Sequence, residues 1–265
     1  MELRQLRANA NKSREEVAAA TDMNRATLYR IETAQARPQV RTLRALMDLY
    51  GVPEARRGEL LAILKAANSQ GWLQTATDLP DQYATYIQFE AEARQVLNYE
   101  TSFIPGLLQT KAYAWAAISG SGLGLPASEV EHRVAARMAR QARRDPPLSV
   151  HAIVDEAVLH RSVGGSQVMK AQLMRLQEAA EEPGITLQVI PYGVGAHPGM
   201  HGSFVVLSFA ENDPDVVYIE GHDTDLFLDN DVDLARYNLV FEHLMAVAAS
   251  PLESQAVVAA VLADQ

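Results

Sequence analysis

SREEVAAATDMNRATLYRIETAQARP, residues 13–38, decides how this chain is read. Its spacing predicts two short helices joined by a tight turn. Ser13 stands three residues before Glu16, the register of a capping box at the start of the first helix. Asp22-Met23-Asn24 reads as the turn, and Asn24 is a good N-cap for the second helix. Val17 and Ala20 are expected to face inward from the first helix, Leu28 and Ile31 from the second. That leaves positions 25, 26, 29 and 30 on the outer face. A short helix presented in this way suits the DNA major groove. There Arg25 and Arg30 can reach guanine O6 and N7, and Ala26 permits close approach to a thymine methyl. Thr27 and Tyr29 can bond phosphate or base edges. Ser13 and Arg14 are placed to hold a phosphate at a helix N-terminus, and Arg37 is a second phosphate candidate.

The charge pattern agrees. The 265 residues carry a net charge of -10. Residues 1–70 hold 12 Lys/Arg and 8 Asp/Glu, a net of +4, and the rest hold 11 and 25, a net of -14. Phosphate contacts supply most non-specific DNA affinity, so a basic module on an acidic body is the expected division. Cysteine is absent, which removes disulfides and thiolate metal sites. No apolar run approaches the ~18 residues of a membrane span, and MELRQLRANANK lacks the apolar core of a signal peptide. A cytoplasmic location is expected, with no membrane partner.

Around the opening segment, residues 1–67 read as a five-helix domain. Leu3, Leu6 and Arg7 begin its first helix, Val40–Tyr50 forms the fourth, and Gly51 stops it before a fifth that starts at Pro53 and carries Leu60, Leu61 and Leu64. Residues 68–80 are polar and punctuated by Gly and Pro, and read as a linker. Residues 81–265 form a larger domain. Helices are expected over about 81–99, 109–119 and 128–144, the last with Ser128 and Glu131 in capping-box register. Strands are expected only from residue 148 onward, at 148–154, 185–190, 203–209, 216–220 and 226–228, with a helix carrying Val168, Leu173 and Leu176 among them. Two helices finish the chain, the second opened by Ser250-Pro251 with Glu253. The expectation is an α+β protein overall. An all-α lambda-repressor-like five-helix domain precedes an α+β domain with a mixed or antiparallel sheet.

Residues 2–65 resemble the lambda-repressor-like (Xre) helix-turn-helix family in SREEVA, NRATLYRIE, Arg37-Pro38 and LRALMDLYGV. The resemblance implies that the third helix enters the major groove, with Arg25, Ala26, Tyr29 and Arg30 as base readers. Asn11, Asp22 and Ala34 stand where that family usually has Gly. Asn and Asp tolerate a left-handed backbone, and Ala does so at a cost of ~1–2 kcal/mol. From about residue 80, the chain resembles the C-terminal domain of actinobacterial WhiJ-type regulators. The matching pieces are FEAEARQVLNYETSFIPGLLQTKAYAWA, VDEAVLHRSVGG, LQVIPYGVGAHPGMHGSFVVLSF and VVYIEG. That implies a transcriptional regulator without catalytic residues, in a family often encoded beside a small partner protein in a toxin–antitoxin-like arrangement.

Chemistry in the larger domain is expected to be sparse. His197 and His201 flank Pro198 and Gly199, which make the pair a loop, and His222-Asp223 lies downstream; a metal site requires them to converge. Asp229, Asp231 and Asp233 imitate the start of a calcium loop, but Leu234 and Val240 stand where Gly and Glu are needed. They read instead as helix N-terminal acids. Asp155-Glu156 reads as a helix start after a strand. Gly120, Gly122, Gly124, Gly193 and Gly195 lack the strand–turn–helix context of a nucleotide loop. PGLLQT (105–110) reads as a rigid turn that sends Leu107 and Leu108 into a core, and GVGAHPGMHG (193–202) as a lip over a groove. No cofactor, no metal and no enzymatic activity are expected. The expected partner is double-stranded DNA, bound by a homodimer on a palindromic site. The alternative is an antitoxin-like protein that binds a small partner protein through its larger domain and DNA for autoregulation.

Overall fold

A computed structural model describes residues 2–21, 23–33, 38, 40–53, 56–61, 81–142, 148–209, 215–221 and 225–265. Contacts divide the chain into two compact units that part between residues 77 and 78. The expected linker lies outside the described residues, as do Asp22, Ala34, Arg37, His222 and Asp223.

The N-terminal unit is helical: α1 (Glu2–Asn9), α2 (Arg14–Thr21), α3 (Arg25–Glu32) and α4 (Val40–Leu49), followed by helical residues 56–61. Its core gathers Val17, Leu28, Ile31, Leu43, Leu46, Met47, Tyr50 and Leu60. The local devices are those the sequence predicts. Asn11 takes a left-handed φ of 52° where α1 ends, and Lys12 N–H turns back to Arg7 O at 3.2 Å. The Ser13 capping box forms in both directions, with Ser13 N–H donating to Glu16 Oε2 (2.8 Å) and Glu16 N–H donating to Ser13 Oγ (3.2 Å). Asn24 Oδ1 accepts from Ala26 N–H at 2.8 Å. Gly51, at φ 65°, follows α4. Ala20, expected inside, is exposed.

Beneath the three N-terminal helices lies a buried carboxylate. Glu32 is 0 % exposed. It accepts from Arg7 Nε of α1 at 2.7 Å and from Arg14 Nε of α2 at 3.1 Å. Arg7 also donates from Nη1 to Lys12 O at 2.9 Å, closing the α1–α2 turn. Removing one member of such a set leaves a buried charge uncompensated.

The C-terminal unit is built on a six-stranded mixed sheet in the order β3-β2-β1-β4-β5-β6. The strands are β1 (Gln95–Glu100), β2 (Ser149–Asp155), β3 (Ile185–Ile190), β4 (Phe204–Ser208), β5 (Val216–Ile219) and β6 (Leu226–Leu228). β1, β2 and β3 run parallel, and β4, β5 and β6 continue antiparallel from β1. The helices are α5 (Asp81–Glu92), α6 (Lys111–Ser121), α7 (Ala127–Gln141), α8 (Ala157–His160), α9 (Ser166–Glu181), α10 (Asp231–Val247) and α11 (Pro251–Ala263).

Two expectations need correction. The helix expected over 81–99 stops at Glu92, and Gln95–Glu100 is β1, a central strand. Buried on both faces, β1 has no polar alternation to betray it, because Val96, Asn98 and Tyr99 are all buried. The capping box expected at Ser128 does not form, because α7 begins one residue earlier, after Pro126. The box expected at Ser250 and Glu253 closes on α11. At the start of α10 the structure adds a cap, where Asn230 Oδ1 accepts from Asp233 N–H at 3.0 Å.

One face of the sheet packs Tyr99, Ile153, Ile190, Phe204, Val206 and Val217 against Phe241 and Leu244 of α10. On the other face, Tyr86 of α5 stacks on Tyr218, ring centroids 4.3 Å apart. Arg140 of α7 ties α5 down through both Glu90 oxygens and Tyr83 Oη.

Glu32→Ala should therefore destabilise the N-terminal unit by about 3–5 kcal/mol, the usual cost of breaking a buried ion pair from one side. Urea denaturation followed by far-UV circular dichroism measures it; a loss below about 1 kcal/mol would show that the set carries no such weight.

Candidate nucleic-acid interface

The outer face of α3 differs from the expected one. Positions 25, 28, 29, 31 and 32 are all buried, so the core-facing stripe is broader than Leu28 and Ile31 alone. Tyr29 is 1 % exposed, and the Arg14 guanidinium lies over its ring at 4.8 Å. Neither side chain is available in the expected role, Tyr29 to a base or Arg14 to a phosphate. Both are spent on fixing α2 to α3. At the start of α2, the Glu16 carboxylate holds the capping bonds of Ser13, which puts negative charge where a phosphate was expected.

Arg25 is 8 % exposed, and its Nη1 meets Glu15 Oε1 of α2 at 2.8 Å. This bond spans the turn between the two helices. The residues of α3 that meet solvent are Ala26, Thr27 and Arg30, with Asn24 exposed ahead of them. Positions 26, 27 and 30 form one stripe on a 3.6-residue helix. Within it, Arg30 Nη2 touches Thr27 Oγ1 at 3.4 Å, while Arg30 Nε is buried with no hydrogen-bond partner among the described residues. A methyl, a hydroxyl and a guanidinium make a surface that can read base edges in a major groove. The shift of face, from 25/26/29/30 to 26/27/30, was legible only through Glu32. A charge at that position reads as exposed until Arg7 and Arg14 are seen to need a partner.

The candidates of the larger domain have structural roles. Asp155 Oδ1 accepts from Ala157 N–H at 2.9 Å, and Glu156 Oε2 accepts from Tyr192 N–H at 2.7 Å. The His197 side chain, 3 % exposed, places Nε2 3.6 Å from Asp155 Oδ2, while His201 is exposed. The 193–202 loop is seated on the core: a Cβ at Gly199 would come within 2.5 Å of the Tyr99 ring. PGLLQT is held by side chains along its length. Gln109 Nε2 donates to Ile104 O, Gln141 Nε2 to Gly106 O, and Gln172 Nε2 to Leu108 O. Leu108 is buried and Leu107 half-buried. Among the described residues, no group of His, Asp and Glu is arranged to hold a metal ion, and no single helix is long and apolar enough to cross a membrane.

A compact helical unit that offers one short helix by a polar stripe defines a helix-turn-helix DNA-binding protein. Comparison with known families agrees: residues 1–60 match the model of a helix-turn-helix domain. Residues 83–260, more than half of the chain, match the model of a domain of unknown function, DUF5753, and the chain belongs to that family. No curated protein and no solved structure matches it.

In the C-terminal unit, burial perturbs the carboxyl of Glu100, at the end of β1. Desolvation raises it from an ordinary 4.5 to about 7, helped by Glu220 and opposed by hydrogen bonds from Ser203 and Asn98 and by Arg137. The folded state therefore holds this proton more tightly than the unfolded chain does. The associated stability is present in full below pH 4.5 and is lost as pH rises through about 7. Glu100→Gln should remove that loss, raising the thermal midpoint of the C-terminal unit at pH 8 relative to wild type while changing it little at pH 4. Differential scanning calorimetry at the two pH values checks this, and an equal shift at both would contradict it.

Proposed function

We propose that this chain is a sequence-specific transcriptional regulator of the Xre type that pairs through its C-terminal unit and reads a palindromic site with α3. The observation that carries the reading is the Ala26–Thr27–Arg30 stripe on a helix braced from behind by Glu32. Arg30 is the principal base reader, with guanine O6 and N7 as its natural target. Asn24, Ala26 and Thr27 contact the neighbouring base edges and phosphates. Arg25 holds the turn through Glu15 and acts on DNA by positioning α3.

Pairing is supported by α10. Val232 and Leu239, seven residues apart on one stripe of that helix, are 79 % and 66 % exposed. An isologous contact between two copies along this stripe buries them both. One small reading helix offers few contacts, and such modules gain affinity when two half-sites lie about one helical turn apart. The resemblance to WhiJ-type regulators supports the regulatory role.

Arg30→Ala should weaken binding to the selected site by ~1–3 kcal/mol and relax preference at one base position, whereas Tyr29→Phe should leave preference unchanged. Fluorescence anisotropy on the site and its single-base variants reads both. Wild-type preference in Arg30→Ala would remove Arg30 from the reading role. Light scattering of the free protein should give a dimer that Leu239→Asp converts to monomer; a monomeric wild type would overturn the pairing.

A further inference from the structure

We propose that two copies of this chain pair antiparallel along α10, about a two-fold axis beside Leu239, with Arg236 of each copy bound to Glu242 of the other. The inference rests on the pairing proposed above and assigns its orientation, its centre and the charges that select it. The inner side of α10 is engaged: Leu234, Tyr237, Val240, Phe241 and Leu244 pack on the sheet. The outer side is built around Leu239. Val232 and Ala246 stand seven residues from it on either hand, and Arg236 and Glu242 stand three. All five are exposed.

Steps of three and seven residues keep these positions within about 60° of one line along a 3.6-residue helix. The line is apolar at Val232, Leu239 and Ala246. Arg236 lies on one shoulder of it and Glu242 on the other. Among the described residues neither of these two enters an ion pair, so both charges are open to a second molecule. An apolar middle with charge at its margins has the composition of a contact surface.

An isologous contact needs a surface that complements itself. A two-fold axis at right angles to α10 reverses the helix. Each position n residues before Leu239 then comes level with the position n residues after it in the partner. Leu239 meets its own copy, and Val232 comes level with the partner's Ala246. Arg236 comes level with the partner's Glu242, and symmetry makes this ion pair twice. The two groups lie on opposite shoulders, so the guanidinium crosses the seam, where helix axes stand about 8–10 Å apart. A parallel pair centred on the same leucine sets Arg236 level with Arg236 and Glu242 level with Glu242, and like charges across a contact are repelled. The stripe therefore complements itself only when reversed. A partner of another kind has no need of opposite charges at equal distances from one leucine, so the occupant is a second copy of this chain.

The chain has no cysteine, so single cysteines report the geometry of the full-length protein directly. Leu239→Cys, Val232→Cys and Ala246→Cys are each oxidised and run on non-reducing gels. The antiparallel pair sets position 239 beside itself, within the ~4.4–6.8 Å between Cα atoms that a disulfide spans. It parts the two copies of position 232, or of 246, by ~21 Å along the axis. Leu239→Cys alone should cross-link; Val232 is the more exposed of the two, at 79 % against 66 %, and so controls for random collision. Arg236→Glu and Glu242→Arg should each raise the dimer dissociation constant at least about tenfold through like-charge repulsion. The double reversal should bring it back close to the wild-type value. Sedimentation equilibrium measures all four proteins. Cross-linking at all three positions, or at none, would overturn the antiparallel arrangement, and a double variant as weak as the single ones would overturn the ion pair. A monomeric wild type removes the pairing itself, whereas a dimeric wild type without these signatures removes only the geometry assigned to it.

Discussion

A single buried carboxylate governs what the N-terminal unit can present. Glu32 ends α3 and takes Arg7 from α1 and Arg14 from α2. Ionised groups removed from water are tolerated only when paired and hydrogen-bonded. The two arginines and the glutamate therefore oblige three helices to converge at one point. The Glu32 carboxyl pulls one side of α3 inward, and Tyr29 follows it into the core. The opposite side, with Ala26, Thr27 and Arg30, is left to solvent. The solvent-facing stripe of α3 is thus the complement of the buried set.

The same economy limits the electrostatics. The net of +4 in residues 1–70 suggests a broadly basic module. In the folded unit, Arg7, Arg14 and Arg25 pair with carboxylates, and so do Arg56, with Glu2 and Glu59, and Arg57, with Asp48. The other unit carries the negative share of the charge.

Much of the fold was legible where local chemistry is self-contained. Ser13 with Glu16, Asn24, Asn11, Gly51 and Ser250 with Glu253 are caps and turns whose meaning lies within four residues, and each does what its spacing predicts. What escaped depends on distant partners. β1 reads as the tail of a helix because its neighbours β2 and β4 bury both of its faces. Ser128 matches a capping box by spacing, but the helix starts before it. The solvent-facing stripe of α3 is half visible: the sequence puts Ala26 and Arg30 outside, but Tyr29 and Arg14 read as exposed because the contacts that bury them join separate helices.

The central claim is that the outward stripe of α3 selects a DNA sequence. The most direct measurement is selection of bound duplexes from a random-sequence pool by the full-length protein, followed by sequencing. The account predicts a recurring two-fold symmetric motif with a guanine near the centre of each half. A pool that shows no enriched sequence after repeated rounds would contradict it.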